Sequence, residues 1–138
     1  MINNLIHYIK SRPKKLFILD GIGALLSFSL TAFLLPEITA ITGIPNAMNT
    51  LLLPWPLLLL GLDVYFYRTE KKLLKTGLLV IPIINCLYCI CSFILAGYHR
   101  YELTLIGWSY LLLEALIIGG LVYLELKTLQ QVQTDIED

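Results

Sequence analysis

Of the polar side chains within the apolar stretches of this sequence, four matter most: Asp20, Asp63, Asn85 and Glu114. A carboxyl group among apolar residues can exchange a proton, hold a cation, or stay neutral and donate one hydrogen bond. Three cysteines bring a second chemistry, because Cys86 and Cys89 have the spacing of a dithiol pair, with Cys91 beside them. On a helix inside an apolar run, however, a free cysteine acts as a small apolar residue. No phosphate loop, nucleophile–base pair or His/Cys ligand set occurs, so no enzyme activity, cofactor or metal is expected.

The elements that must position these groups follow from composition. The 138 residues are 57% hydrophobic and 14% charged, and their mean hydropathy is +0.76. Soluble domains carry about 25% charged residues. Ten Lys and Arg balance ten Asp and Glu, which leaves no basic footprint for nucleic acid. The expected partner is a lipid bilayer. A spanning helix needs roughly 20 apolar residues, and four segments qualify: residues 16–35, 51–67, 77–97 and 104–126. Their continuous Leu/Ile runs lack the alternation of barrel strands. The expected fold is all-α, a four-helix transmembrane bundle forming one integral membrane domain, with no room for a large enzyme domain. The first run exceeds the roughly 7–15 residues of a signal-peptide core, and no Ala-x-Ala site follows it, so it is expected to be retained.

The loops predict orientation. Nine of the ten Lys and Arg fall before the first span, between the second and third, or after the fourth, and only Arg100 falls on the other side. Basic residues near spans stay in the cytoplasm, so both termini are expected there, in a multi-pass inner-membrane protein. Trp55, Tyr98, Tyr101 and Trp108 mark the outer edge, and Phe17, Tyr65, Tyr67 and Tyr123 the inner one. His7 and His99 then lie on opposite sides and cannot share a metal. Residues 2–10 carry Ile2, Leu5, Ile6 and Ile9 on one helical face, with Asn3, Asn4 and Lys10 off it. They read either as a short interfacial helix or as a loosely ordered start. The tail ending in Asp135, Glu137 and Asp138 reads as a solvated helix end or as disordered.

Depth separates the acids. Asp20 and Asp63 fall roughly 6 Å inside the inner edge at 1.5 Å per residue. Water, or Lys15 or Lys75 snorkelling from the edge, can reach them there, so structural anchoring is expected, with both kept as candidate polar or proton sites and Asp63 as the cytoplasmic exit for a proton from Glu114. Glu114 lies roughly 15 Å from Thr104 and 18 Å from Leu126, near the midplane. An ionised carboxylate at that depth costs about 2.5 kcal/mol or more, and no Lys or Arg lies within the spans to offset it. A neutral carboxyl is expected, serving either as a functional proton or cation site or as interhelical glue.

Helical stripes bring candidates to the same face. Gly107, Tyr110, Glu114, Ile118, Leu121 and Glu125 share one, Asn85, Cys89, Ser92 and Ala96 another, and Asp20, Ala24, Ser27 and Thr31 a third. Depth counting predicts a midplane polar cluster of Ser27, Asn85, Tyr88 and Glu114. Pro54 and Pro56 are expected in the first turn of the second helix, where missing N–H groups are harmless. The alternative is a broken helix lining a cavity. Residues 36–49 are expected to form an outer loop packed on the bundle mouth.

The runs Leu16-Phe17-Ile18-Leu19-Asp20-Gly21-Ile22-Gly23-Ala24-Leu25-Leu26-Ser27, Asn85-Cys86-Leu87-Tyr88-Cys89, Tyr98-His99 and Leu105-Ile106-Gly107-Trp108 resemble those of a group of small bacterial integral membrane proteins. The resemblance implies four spans, a bacterial origin and no assigned activity. Size and span number also resemble those of small multidrug-resistance transporters, but that family keeps its membrane-embedded Glu in the first span. Four-helix oxidoreductases resembling vitamin K epoxide reductase need thiols near the outer surface and a second pair in a loop, and no outer loop here holds a cysteine. Two functions are expected. The first is a non-catalytic accessory or structural membrane protein with a polar interhelical seam. The alternative is a proton- or cation-coupled small-molecule transporter using Glu114. Four short spans enclose little volume, so a homodimer or a larger membrane partner fits either.

Overall fold

The computed structural model describes residues 1–137, apart from the side chains of residues 6, 9–11, 136 and 137. The expectations for Ile6, Ile9 and Lys10 on the first helix, and for Glu137 and Asp138 in the tail, lie outside the described residues.

Among the described residues, eight α-helices follow in order. They are α1 (Ile2–Ser11), α2 (Lys15–Ser29), α3 (Leu35–Glu37), α4 (Thr39–Thr42), α5 (Asn46–Leu52), α6 (Pro54–Arg68), α7 (Leu74–Tyr98) and α8 (Leu105–Glu137). A π-helical turn, Leu30–Leu34, joins α2 to α3. Pro36 has no N–H to offer the carbonyl four residues back, and Leu35 N–H bonds to Leu30 O instead. Four segments are long and apolar enough to cross a membrane: Lys15–Glu37, Asn46–Arg68, Lys71–Tyr98 and Leu105–Asp135. Each extends beyond the segment expected from its apolar run on at least one side.

The second of these segments has its prolines in the first turn of α6, as expected. Pro54 does start a helix. Yet α5 precedes it directly, and Leu53 between them keeps helical angles. The chain therefore stays helical through the prolines while two carbonyl bonds are lost. The outer loop expected over residues 36–49 is largely helical too. Leu53 N–H still bonds to Asn49 O at 3.0 Å. Pro82 interrupts the ladder of α7 in the same manner.

Consecutive long helices pack as neighbours: α2 on α6, α6 on α7, α7 on α8. The core has two apolar clusters. At the end bearing the termini, Leu16, Phe17, Leu59, Phe66, Leu78 and Ile81 pack together. Gly77 permits this, since a Cβ there would lie 2.7 Å from the Phe66 ring. At the opposite end, Leu35, Ile44, Met48, Leu52, Ala96 and Leu111 pack together. Large apolar side chains also cover the outside, Ile22, Leu25, Phe33, Ile94 and Leu116 among them. Water penalises such a surface and lipid does not.

The ends are tied by local bonds. Lys14 Nζ donates to Thr69 O at 2.5 Å, linking the start of α2 to the loop after α6. Lys15 lies over the Tyr8 ring, 4.4 Å from its centre, and donates to the Tyr8 hydroxyl. That bond, with the lysine charge, holds the Tyr8 hydroxyl below the ordinary tyrosine pKa. Helix α1 packs on the far end of α8. At the opposite end, Gly43 turns the chain with φ +68° after α4. Thr104 N–H donates to Thr42 O at 3.0 Å, and Thr104 Oγ1 to Ile41 O at 2.6 Å. The loop after α4 is thereby stitched to the start of α8.

Candidate functional site

Between the two apolar clusters lies a polar layer centred on Glu114. Ser27 of α2 donates to Glu114 Oε1 at 2.7 Å, and Tyr88 of α7 donates to the same oxygen at 3.0 Å. One carboxyl oxygen on α8 thus gathers two other helices. Tyr110, one turn earlier on α8, interacts with the same carboxyl and with Thr31. Tyr88 is held in turn by Trp55, whose ring centre lies 6.4 Å away. Asn85 does not join this group. Its Nδ2 points to Asp20, 3.3 Å from Oδ1 and 3.4 Å from Oδ2. The expected four-residue cluster is therefore divided, with Asn85 one turn of α7 away from Tyr88 and serving a different acid.

Toward the end bearing the termini lies a second polar group, formed by Asp20, Asp63 and Glu125. All three are buried, with Asp63 at 1% exposure and Glu125 at 0%. Asp63 is close enough to feel the charge of both Asp20 and Glu125. Helix α6 packs on α2 here, with Asp63 beside Gly21, where a Cβ would make an ordinary contact with Asp63 Cβ at 3.5 Å. Neither lysine expected to reach these acids does so, and Lys15 pairs with Tyr8 instead. Among the described residues the only ion pair is His99–Glu102, at 2.9 Å in the loop before α8. The Asp63 carboxyl lies within hydrogen-bonding reach of that of Asp20, whereas both oxygens of Glu125 are buried without a hydrogen-bond partner.

Packing does not explain these oxygens, since burying an unsatisfied polar group costs about 1–3 kcal/mol. Glu125→Met keeps the side-chain volume and removes both oxygens. It is expected to raise stability by about 1–3 kcal/mol, seen as a higher melting temperature of the purified protein. Glu125→Gln leaves polar atoms in place and should gain little. A lower melting temperature for the Met variant would mean that the carboxyl has a partner the bundle needs.

A cavity of about 150 Å³ extends from the Glu114 group to Asp20 of the second group, lined by Asp20 and Asn85 on one side and by Ser27, Tyr88, Tyr110 and Glu114 on the other. Its remaining walls are mostly leucine and isoleucine. Helices α2 and α8 are not among the closely packed neighbours, and the cavity lies between them. Its rim includes Leu26, Leu113 and Ile117, which are 57–60% exposed. Near the opposite end, Thr31, Asn46, Asn49 and Thr50 line a second, more polar cavity of about 140 Å³. Asn49 also borders a small gap shared with Tyr88, Tyr110 and Glu114. Its amide is buried and neither polar atom has a partner.

The three cysteines are free, with Cys86 exposed and Cys89 and Cys91 partly so. Cys89 borders a small gap beside Glu114. Among the described residues, no group of three His, Cys, Asp or Glu is placed to hold a metal ion.

Glu125, which the helical stripe places on the same face as Glu114, lies 11 positions on, about three turns, and is buried. The sequence points to no role for Asn49, which falls in the expected outer loop, whereas the structure places it on α5. Compared with protein-family models, curated proteins and solved structures, the chain matches none of them.

Proposed function

We propose that this chain is a small proton- or cation-coupled membrane transporter in which Glu114 exchanges its proton for a cationic ligand. One observation carries the reading: the Glu114 carboxyl lines a cavity of about 150 Å³ while two hydroxyls donate to a single one of its oxygens. An oxygen that only accepts is served equally well in the acid and in the carboxylate. The hydrogen bonds therefore need not break when the proton leaves. The unpartnered atoms of Glu125 and Asn49, on either side of Glu114, support a polar route along the bundle.

A second reading rests on the same bonds. Ser27–Glu114–Tyr88 joins three helices, which is what interhelical glue does. On that reading the chain is a non-catalytic accessory or structural protein, and the seam only packs helices. The cavity and the unpartnered Glu125 carboxyl are superfluous to it, which is why transport is preferred here.

The test uses proteoliposomes holding a pH gradient, with a pH-sensitive dye inside. Sodium, potassium and tetramethylammonium are added in turn. Protein-dependent dissipation of the gradient by at least one cation is the expected result. No dissipation with any of them, from protein that melts cooperatively, favours the accessory reading.

We also infer that both termini are cytoplasmic, in the inner membrane of a bacterium. The nine-to-one distribution of Lys and Arg supports the orientation. The resemblance of the Leu16–Ser27 and Asn85–Cys89 runs to small bacterial membrane proteins supports the setting. A homodimer or a larger membrane partner accords with the small volume that four helices enclose. A reporter that works only in the cytoplasm should be active when fused after Asp138. Activity of a periplasm-only reporter at that position would reverse the orientation.

A further inference from the structure

The cavity beside Glu114 has three properties that restrict its occupant. Its volume of about 150 Å³ equals that of an engineered protein cavity that admits benzene. Its walls are apolar, so a sugar or another polyhydroxylated ligand would lose hydrogen bonds on entry. Its two acids, Glu114 at the midplane and Asp20 held by Asn85, have no Lys or Arg beside them in the cavity wall, which disfavours anions. A bare metal ion is poorly matched, because no cluster of three ligating side chains is present among the described residues.

The mouth adds a direction. The rim residues Leu26, Leu113 and Ile117 are exposed on the outer apolar surface, between α2 and α8. Closer to the end bearing the termini the two helices meet, where a Cβ on Gly23 would lie 3.7 Å from Leu121 Cδ1. The opening thus faces sideways, toward whatever surrounds the bundle.

We propose that this cavity binds a small lipophilic amine of single-ring size, which enters from the lipid between α2 and α8 and takes the proton of Glu114. The inference rests on the transport reading above and names its substrate class. An amine that is protonated in water sheds that proton to enter lipid as the neutral base. In the cavity the nitrogen lone pair accepts the Glu114 proton, which breaks the carboxyl O–H bond and forms an N–H bond. The products are an ammonium and a carboxylate in contact. The site stays neutral throughout, so no lone charge is created at the midplane. Ser27 and Tyr88 go on donating to the carboxylate, and the Tyr88 and Tyr110 rings line the same space as the ammonium. The overall balance is one proton released to water for each amine bound.

Calorimetry on the full chain in lipid nanodiscs tests this, with benzylamine as probe and toluene as its uncharged analogue. Titration in two buffers of different ionisation enthalpy counts the protons. Benzylamine is expected to release one proton per molecule bound, and toluene none. Glu114→Gln should abolish the release and weaken benzylamine at least about tenfold. Ile117→Trp, on the exposed rim, leaves the core untouched and should slow benzylamine association at least about tenfold, so the test survives if the Glu114 variant fails to fold. Absence of benzylamine binding overturns the proposal, as does binding without proton release. A dimer that buries Ile117 and is dispersed by Ile117→Trp would also overturn it, by giving the opening to a second copy. If tetramethylammonium or sodium still dissipates the pH gradient while benzylamine does not bind, the amine inference fails and the transport reading stands.

Discussion

Glu114→Gln is expected to abolish proton-coupled cation flux in proteoliposomes while leaving the bundle folded. Glutamine matches glutamate in size and keeps an acceptor where Glu114 Oε1 accepts from Ser27 and Tyr88. The interhelical bonds therefore persist, and stability should change by no more than ~1 kcal/mol, the scale of one such bond in a membrane bundle. What the amide cannot do is release a proton. Flux driven by a pH gradient and the melting temperature should thus respond differently, the first falling to the level of protein-free vesicles and the second nearly unchanged. Wild-type flux in the variant would remove Glu114 from the mechanism. Collapse of the fold would mean that the native carboxyl is ionised and paired with a cation, and that the bundle depends on that pair.

How much of this arrangement was legible depends on what each residue's signal requires. Long uninterrupted runs such as residues 77–97 need only a count of apolar residues, and four long helices follow. The level shared by Ser27, Tyr88 and Glu114 needs only a rise per residue and a helical face. The partner of Asn85 needs more, namely the rotation of α7 relative to α2, which no single-helix pattern holds. Asn85 and Tyr88 share a neighbourhood in sequence, yet one serves Asp20 and the other Glu114. Counting from Tyr67 places Asp63 where water is near, but the structure buries it, and α8 runs on past that level to Glu137. Glu125 shares the Glu114 stripe, yet its burial depends on how the helices pack, which a single-helix stripe does not hold. Helix α5 was hidden by its composition, since Asn46, Asn49 and Thr50 read as loop residues and two prolines follow them.

The second large effect concerns the end opposite the termini. Gly43→Ala should destabilise the protein by about 2–5 kcal/mol, combining a left-handed backbone that a side chain resists with overpacking. Gly43 has φ +68°, and a Cβ there would fall 1.9 Å from the Glu102 carbonyl oxygen. Gly107→Ala meets a similar obstacle, with its Cβ 2.1 Å from Thr42 O. That oxygen cannot simply retreat, because it accepts the Thr104 N–H at 3.0 Å. Thermal melting of the purified variants reads both losses. Gly61→Ala provides the contrast, since nothing lies within 4 Å of its Cβ position. In mid-helix it should gain up to about 1 kcal/mol. If Gly43→Ala and Gly61→Ala melt alike, the stitching of the α4 loop onto α8 does not hold the bundle closed.

The distribution of polar groups over the long helices bears on how such a chain is made. Asp20 lies on the first, Asp63 and Asn49 on the second, Asn85 on the third, Glu114 and Glu125 on the fourth. An acid near the centre of a lone span adds about 2.5–3.5 kcal/mol to the free energy of its insertion. During synthesis, then, each helix that enters a bilayer brings a debt that its own sequence cannot settle. Asp20 gains its amide donor only when α7 arrives, and Ser27 and Tyr88 reach their acceptor only with α8. The fourth long helix carries the acid that unites the others, so in a bilayer a chain arrested before α8 would leave the Ser27 and Tyr88 hydroxyls without their acceptor. The polar groups thus set an order of assembly, in which α7 settles Asp20 and α8 settles Ser27 and Tyr88.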